Sequence, residues 1–373
     1  MNIGILGGGQ LARMIIEENY KYGFEFHILS KEKNSPAGQL TKHETVGEWN
    51  DEECLIKFSE SCNVITLENE FIDYQKIKFL EDLGQIVFPD STSIKLIQDK
   101  LYQKETLKKI MIPVAEFSAV ETKEDILNFA AKNSFPVILK SRTMGYDGKG
   151  NYTINSEKDI EAAFQTLSQR GKLVCESFIK FDKEVATQVV RNKSGEVKVY
   201  PVVETIQKNH ICNLVIASHN LFPDITEKVR EIAKRIVSDL NYVGVMGIEM
   251  FLLGNEILVN ELAPRVHNSG HYTIEASYTS QFENHIRAVM NFPIGNTDMN
   301  QKNSVMVNII GGRNGEARLK NVGKILSHDK VYLHSYGKKE TRVGRKMGHI
   351  TVIGENLEET IATAENCRAE IDI

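Results

Sequence analysis

The chain has 373 residues, 41% hydrophobic and 25% charged, which is a soluble globular composition too long for one ordinary core. A formal net charge of −5 excludes a global basic field for nucleic acid. Five cysteines at positions 54, 62, 175, 212 and 367 match no zinc spacing, so free thiols in a reducing cytoplasm are expected, and no apolar run reaches the ~18 residues of a membrane span.

Strand and helix alternate through the first ~95 residues. Ile3–Leu6, Phe24–Leu29, Val64–Leu67 and Ile86–Phe88 read as strands and Leu11–Tyr20 as a helix, which implies a doubly wound parallel sheet. Met1 runs almost straight into the first strand, leaving no room for a signal peptide. Between the first strand and helix, Gly7-Gly8-Gly9-Gln10-Leu11-Ala12 fits a dinucleotide fingerprint. The second strand ends near Ser30 and Lys31, where that fingerprint wants an acid for a ribose, so a nicotinamide oxidoreductase is disfavoured. A phosphate site for another ligand, or a turn that only lets helix and sheet pack, remain the readings. Glu70 follows the third strand, at the carboxyl end where open sheets bind ligands.

Ser93–Ile110 is expected as one charged helix. A smaller α/β unit follows, centred on the strand Pro136–Lys140. Lys140 ends that strand, and Gly145-Tyr146-Asp147-Gly148-Lys149-Gly150 comes just after it. Three glycines in six residues can close backbone N–H groups over phosphates, although Asp-Gly is also a hairpin-turn signal. Lys172–Ile179 reads as a strand entering a linker, with Glu184 beyond it.

The most telling stretch lies further on. Glu249 interrupts the apolar run Val245–Leu253, and Glu261 ends Ile257–Glu261 after a Gly254-Asn255 break. Carboxylates in such strands are costly to bury unless a cation meets them. With Asn260 they form an oxygen-rich pocket suited to Mg²⁺, and hence to a phosphate-bearing substrate. A two-residue turn places Asn260 opposite Glu249; a three-residue loop places Glu261 there; a bulge brings all three side chains to one ion. Arg265 is placed to stabilise a transferring phosphoryl group or an anionic acceptor, with His267 and His271 for proton transfer or orientation. Near the C-terminus Lys338, Lys339, Arg342, Arg345 and Lys346 lie between glycines, as in a phosphate-clamping loop.

Together these stretches resemble the 5-(carboxyamino)imidazole ribonucleotide synthetase family of ATP-grasp ligases in purine biosynthesis. The resemblance runs from the Gly7–Met14 stretch through Gly145–Gly150 and Asn260–His271 to Tyr336–His349. It implies an α/β chain, α+β in its ATP-grasp part. An N-terminal Rossmann-like domain (1–95) precedes an ATP-grasp lid (96–172), a large domain (173–295) and a C-terminal β-rich subdomain (296–373). It implies ATP- and bicarbonate-dependent carboxylation of the exocyclic amine of 5-aminoimidazole ribonucleotide through carboxyphosphate. The alternative is formate-dependent glycinamide ribonucleotide transformylase or another acyl-phosphate ligase.

By the same resemblance, Lys100, Lys140, Gly145, Tyr146, Asp147, Gly148, Lys149, Gly150, Glu176, Ile179, Glu184, Asn260 and Glu261 bind ATP. Glu249 and Glu261 hold Mg²⁺, or Mn²⁺ in its place. Gln10, Glu70 and Tyr146 contact the ribonucleotide, and Lys338 and Arg345 its phosphate. Arg265, His267 and Asn268 line the bicarbonate and carboxyphosphate site. Lys100 stands where the family commonly has arginine, Met144 where the flap has its first glycine, and Ala12 where it has glycine. Gln207 falls where many relatives carry a histidine. The family also implies a cytoplasmic homodimer, with neither nucleic acid nor membrane as partner.

Overall fold

The computed structural model describes residues 1–143, 145, 150–208 and 211–373. The N-terminal sheet is four-stranded and parallel, in the order β3-β2-β1-β4. Its strands are β1 (Asn2–Leu6), β2 (Glu25–Ser30), β3 (His43–Val46) and β4 (Val64–Leu67). Helix α1 (Gln10–Asn19) lies on one face, against Ile3 and Ile5. Helices α2 (Glu52–Ser59) and α3 (Tyr74–Asp82) cover the other, where Leu55, Phe58 and Ile77 meet Leu6 and Leu67. Alternating side chains supply both apolar faces, as a doubly covered parallel sheet requires. β3 is an addition to the expected strands. Ile86–Phe88 makes only a bridge, Val87 to Ile65.

The single helix expected over 93–110 is two, α4 (Ser91–Gln98) and α5 (Lys100–Lys109). Asp99 divides them. Its backbone is extended, its carboxylate accepts from the Leu101 and Tyr102 N–H groups, and Arg142 grips the same carboxylate. A side chain that caps the second helix in this way cannot sit inside a continuous one.

A small antiparallel sheet follows, in the order β5-β8-β6-β7. It contains β5 (Phe117–Val120), β6 (Val137–Ser141), β7 (Asn151–Ile154) and β8 (Leu173–Ser177), backed by α6 (Lys123–Asn133) and α7 (Ile160–Ser168). The lid sheet therefore extends past the boundary drawn at 172, because β8 pairs with both β5 and β6.

The large sheet has nine strands. Its first six are β9 (Lys183–Arg191), β10 (Val197–Val199), β11 (Val203–Lys208), β12 (Ile211–Ser218), β13 (Gly244–Leu253) and β14 (Glu256–Ala263). The order along its main path begins β14-β13-β9-β11-β12. It continues through β15 (Asn303–Ile310), which pairs with β12 and with the strand Lys346–Gly354. The C-terminal segment thus extends the large sheet by hydrogen bonds rather than standing beside it. Helix α8 (Pro223–Asp239) covers one face. A later helix, Gln281–Val289, inserts Phe282 and Ile286 against α1 and β1. Burying each of these side chains stabilises the junction by about 1.5–3 kcal/mol, which binds the N-terminal sheet to the large one.

Candidate active site

The β13–β14 hairpin resolves the position of its two acids. Leu253 pairs with Glu256, so the turn is the two residues Gly254 and Asn255, with Gly254 at φ +56. The register then shifts, leaving Asn260 as the extra residue of a bulge. Met250 faces Val259, whereas Glu249 faces Glu261. Glu184 shares that sheet face, two residues along β9 from Ala186, which pairs with Glu249. Burial, Glu261 and Glu184 together push the Glu249 carboxyl up to about 7. A carboxylate so raised by its acidic neighbours suits a divalent cation, which would stabilise its ionised form.

Cations surround this acidic face. Lys100, at the start of α5, donates to Glu261 Oε1 at 2.5 Å. Burial lowers its pKa, but Glu261 outweighs that and raises it overall. Lys140 on β6 donates to Glu176 Oε2 on β8 at 2.8 Å, and Lys104 Nζ lies 3.2 Å from the same oxygen. Arg142 forks onto Asp99 through Nε and Nη2 at 2.8 and 2.7 Å. Glu70, Lys100, Arg142, Gly145 and Glu261 line one cleft, so the N-terminal domain, lid and large sheet all reach it. Ile179 is half-buried in the linker between β8 and β9. Tyr146, Asp147, Gly148 and Lys149 lie outside the described residues, as does Met144; Gly150 is buried at the head of β7.

After β14 the chain turns back over the acids. Arg265 holds Glu70 through both carboxylate oxygens, the Nη2 bond at 2.8 Å. His267 packs against Gly247, where an added Cβ would stand 2.6 Å from the histidine Cβ. Gln188 Nε2 donates to Ser269 Oγ at 2.8 Å, and that hydroxyl lies 2.8 Å from His267 Nδ1. The Ser269 N–H also points at Nδ1. With Nδ1 accepting, the imidazole proton is assigned to Nε2, which lies 3.5 Å from Glu249 Oε1. Burial, Arg265 and Lys346 push His267 down to about 3, so the ring is neutral. Asn268 makes a reciprocal amide pair with Asn308 at 2.9 and 2.7 Å. His271 is buried among Phe282, Tyr336 and His349.

The glycine turn corrects the expectation of a ligand phosphate there. Glu68 accepts from the Ala12 N–H at 3.1 Å and from the Gly9 N–H, filling the N-terminus of α1 with an internal carboxylate. Gly7 and Gly9 make room for it, since a Cβ at either would lie within 2.4 Å of Glu68. Gln10 opens α1 beside this carboxylate. The Lys338 charge on the C-terminal loop favours the ionised form of Glu68; its Nζ donates to Lys346 O at 2.6 Å and lies 5.6 Å from the Tyr336 ring centre. That loop docks on the N-terminal domain through Gln39 to Gly337 O and Lys339 to Lys33 O. Arg345 donates to Glu340 O at 2.7 Å.

Sequence reasoning passed over Lys104, Arg142, Asp99 and Glu68. A signal existed for two of them. Lys104 is one helical turn from Lys100, and Arg142 is two strand positions from Lys140, so each shares a face with a named lysine. Glu68 carried none, because its partners come from another element.

Three families match successive parts of the chain. Residues 1–98 match the ribonucleotide synthetase preATP-grasp domain. Residues 105–282 match the ATP-grasp domain, and 304–363 the phosphoribosylaminoimidazole carboxylase C-terminal domain. N5-carboxyaminoimidazole ribonucleotide synthase of Synechococcus elongatus is 35% identical over 376 residues, covering 100% of this chain and 94% of that one. Phosphoribosylaminoimidazole carboxylase of Candida albicans is 41% identical over 96% of this chain, which spans only 64% of that protein's length. The structure of N5-carboxyaminoimidazole synthase from Aspergillus clavatus, in complex with ADP and 5-aminoimidazole ribonucleotide, superposes with a TM-score of 0.90. It is 35% identical and covers 98% of this chain and 97% of that one.

Proposed function

Given that the chain belongs to the N5-carboxyaminoimidazole ribonucleotide synthetase family of ATP-grasp enzymes, we propose how its residues divide the reaction. The chain is an ATP-dependent ligase that carboxylates 5-aminoimidazole ribonucleotide in purine biosynthesis. Bicarbonate takes the γ-phosphoryl group of ATP, giving carboxyphosphate and ADP. Carboxyphosphate then releases CO₂ and phosphate, and the exocyclic amine adds to CO₂ with loss of a proton.

The observation that carries this division is Glu249 facing Glu261 across a bulged hairpin, with Lys100 on Glu261. Glu249 and Glu261 would hold Mg²⁺, with Mn²⁺ as a substitute; the ion would supply charge neutralisation for the nucleotide phosphates. Lys100, Lys140 and the Gly145–Gly150 loop bind the triphosphate, with Asn260 beside it. Glu176, Ile179 and Glu184 receive the nucleoside. Arg265 binds the bicarbonate-derived anion beside Asn268, while His267 orients Glu249. Exclusion of water around such an anion favours its productive breakdown. Gln10, Glu70 and Tyr146 contact the imidazole ribonucleotide. Lys338 and Arg345 take its phosphate, where the C-terminal loop meets the N-terminal domain. Arg345 Nη1 is held by the Glu340 carbonyl, which leaves its other N–H groups for the phosphate.

The partners are small molecules, and neither nucleic acid nor a membrane is required. No helix among the described residues is long and apolar enough to cross a membrane. A homodimer in the cytoplasm completes the proposal. The test is ADP release with each substrate omitted in turn. Release should require ATP, bicarbonate and the ribonucleotide together. Full ADP formation without the ribonucleotide, or formate replacing bicarbonate, would overturn it.

A further inference from the structure

Glu176 is 3% exposed and sits on β8 between two lysines that are not equivalent. Lys140 lies one residue from the end of β6, close before the 145–150 segment, with 11% of its side chain exposed. Lys104 rises from α5 behind it, with 2% of its side chain exposed. Glu176 Oε2 accepts a hydrogen bond from Lys140 at 2.8 Å and forms an ion pair with Lys104 Nζ at 3.2 Å. Glu176 Oε1 is buried and accepts no hydrogen bond among the described residues. A buried carboxylate with one committed oxygen and one open oxygen is built to accept a donor from outside the protein.

We infer that Lys104 is a positioning residue for the nucleobase, acting as the standing counter-ion that keeps Glu176 an acceptor. The inference rests on the nucleotide site proposed above. A triphosphate in the cleft draws Lys140 off Glu176, since its negative charge competes for the same ammonium. Lys104 cannot follow, because it is enclosed. Without Lys104 the carboxylate would then be buried and unpaired, a state it escapes by taking up a proton. Protonation gives the carboxyl an O–H donor and leaves only a neutral, weaker acceptor oxygen. The 6-amino group of adenine needs an acceptor, whereas the 6-oxo group of hypoxanthine needs a donor. The charge on Lys104 therefore selects the 6-amino base through Glu176.

The test compares Lys104→Met, Lys104→Arg, Glu176→Gln and Lys104→Met/Glu176→Gln with the unmodified enzyme, using ATP and ITP. Lys104→Met should raise the KM for ATP roughly tenfold to a hundredfold, the loss expected for a weakened buried bond to a charged group. It should leave the KM for the ribonucleotide unchanged and narrow the preference for ATP over ITP. Lys104→Arg should restore most of that preference. In Lys104→Met the preference for ATP over ITP should widen as pH rises, and in the unmodified enzyme it should stay constant, because in the nucleotide complex, with Lys140 drawn away, Glu176 must ionise with only Lys100 acting on it. The double variant removes both buried charges, so it folds where the single variant is strained, and its effect on KM should be smaller than the sum of the two. An unchanged ATP-over-ITP preference in Lys104→Met, equal rises in both KM values, or strict additivity in the double variant would overturn the inference. Lys140→Met separates the two levels. If it is impaired while Lys104→Met is not, the nucleotide site stands and the role of Lys104 falls.

Discussion

Arg265 and Glu70 meet through two hydrogen bonds although 195 residues separate them. One comes from the turn after β14 and the other from the loop after β4, so the pair ties the N-terminal sheet to the edge of the acidic hairpin. Burial alone would raise the Glu70 carboxyl, but the Arg265 guanidinium outweighs it and holds it below its usual range.

Removing one partner of such a pair strands the other. Arg265→Ala should cost about 2–5 kcal/mol in chemical denaturation and abolish turnover. Arg265→Lys keeps the charge but loses the fork, so it should recover stability better than activity. A lysine variant matching the native enzyme in both assays would contradict a bidentate requirement.

Glu261→Gln should eliminate ADP formation at every Mg²⁺ concentration, with circular dichroism unchanged. It alters the proposed metal ligand and removes the charge that Lys100 pairs with. Turnover recovered by raising Mg²⁺ would mean that Glu249 suffices as the protein ligand.

Gly247→Ala places a Cβ 2.6 Å from the His267 Cβ, and neither atom can swing aside without moving backbone. Overpacking of this kind costs about 1–3 kcal/mol. Because His267 faces Glu249, the substitution should depress kcat beyond what the loss in melting temperature explains. Unaltered kcat in a destabilised variant would separate His267 from the chemistry.

Lys338→Ala should raise the KM for the ribonucleotide far more than that for ATP, since Lys338 sits where the C-terminal loop meets the N-terminal domain. Equal rises would assign it to the loop's folding instead.

His334 Nε2 lies 2.6 Å from Glu275 Oε1. Burial lowers the histidine pKa, but the Glu275 bond outweighs that and leaves it raised. A raised histidine pKa contributes stability that is present in full below the unfolded value and lost as pH rises through the folded one. Glu275→Gln should therefore lower the melting temperature more at about pH 6 than at about pH 9. The reverse order would show that the ring is neutral in the folded chain.

The hairpin shows how far local pattern reaches. Glu249, Asn260 and Glu261 were marked by polar residues inside apolar strands, and the Gly254-Asn255 break located the turn. Their register stayed open, because a two-residue turn alone would oppose Asn260 to Glu249. The bulge that opposes Glu261 instead involves pairing across the strands, which no local preference encodes. The helix over 93–110 was misjudged for a similar reason. Asp99 caps the second helix through the Leu101 and Tyr102 N–H groups, and Arg142, 43 residues away, holds the same carboxylate in place.

Local periodicity and turn chemistry determined the parallel N-terminal sheet, the lid strand that carries Lys140 and the acidic hairpin, since those signals act over a few residues. Tertiary structure alone decided that the Glu68 carboxylate accepts from the Gly9 and Ala12 N–H groups at the glycine turn, and that Lys104 shares Glu176 with Lys140. It also decided that β8 closes the lid sheet and that the C-terminal strands extend the large one. Each of these depends on charges or backbone groups brought together from distant segments, and their energies exist only once burial removes water from between them.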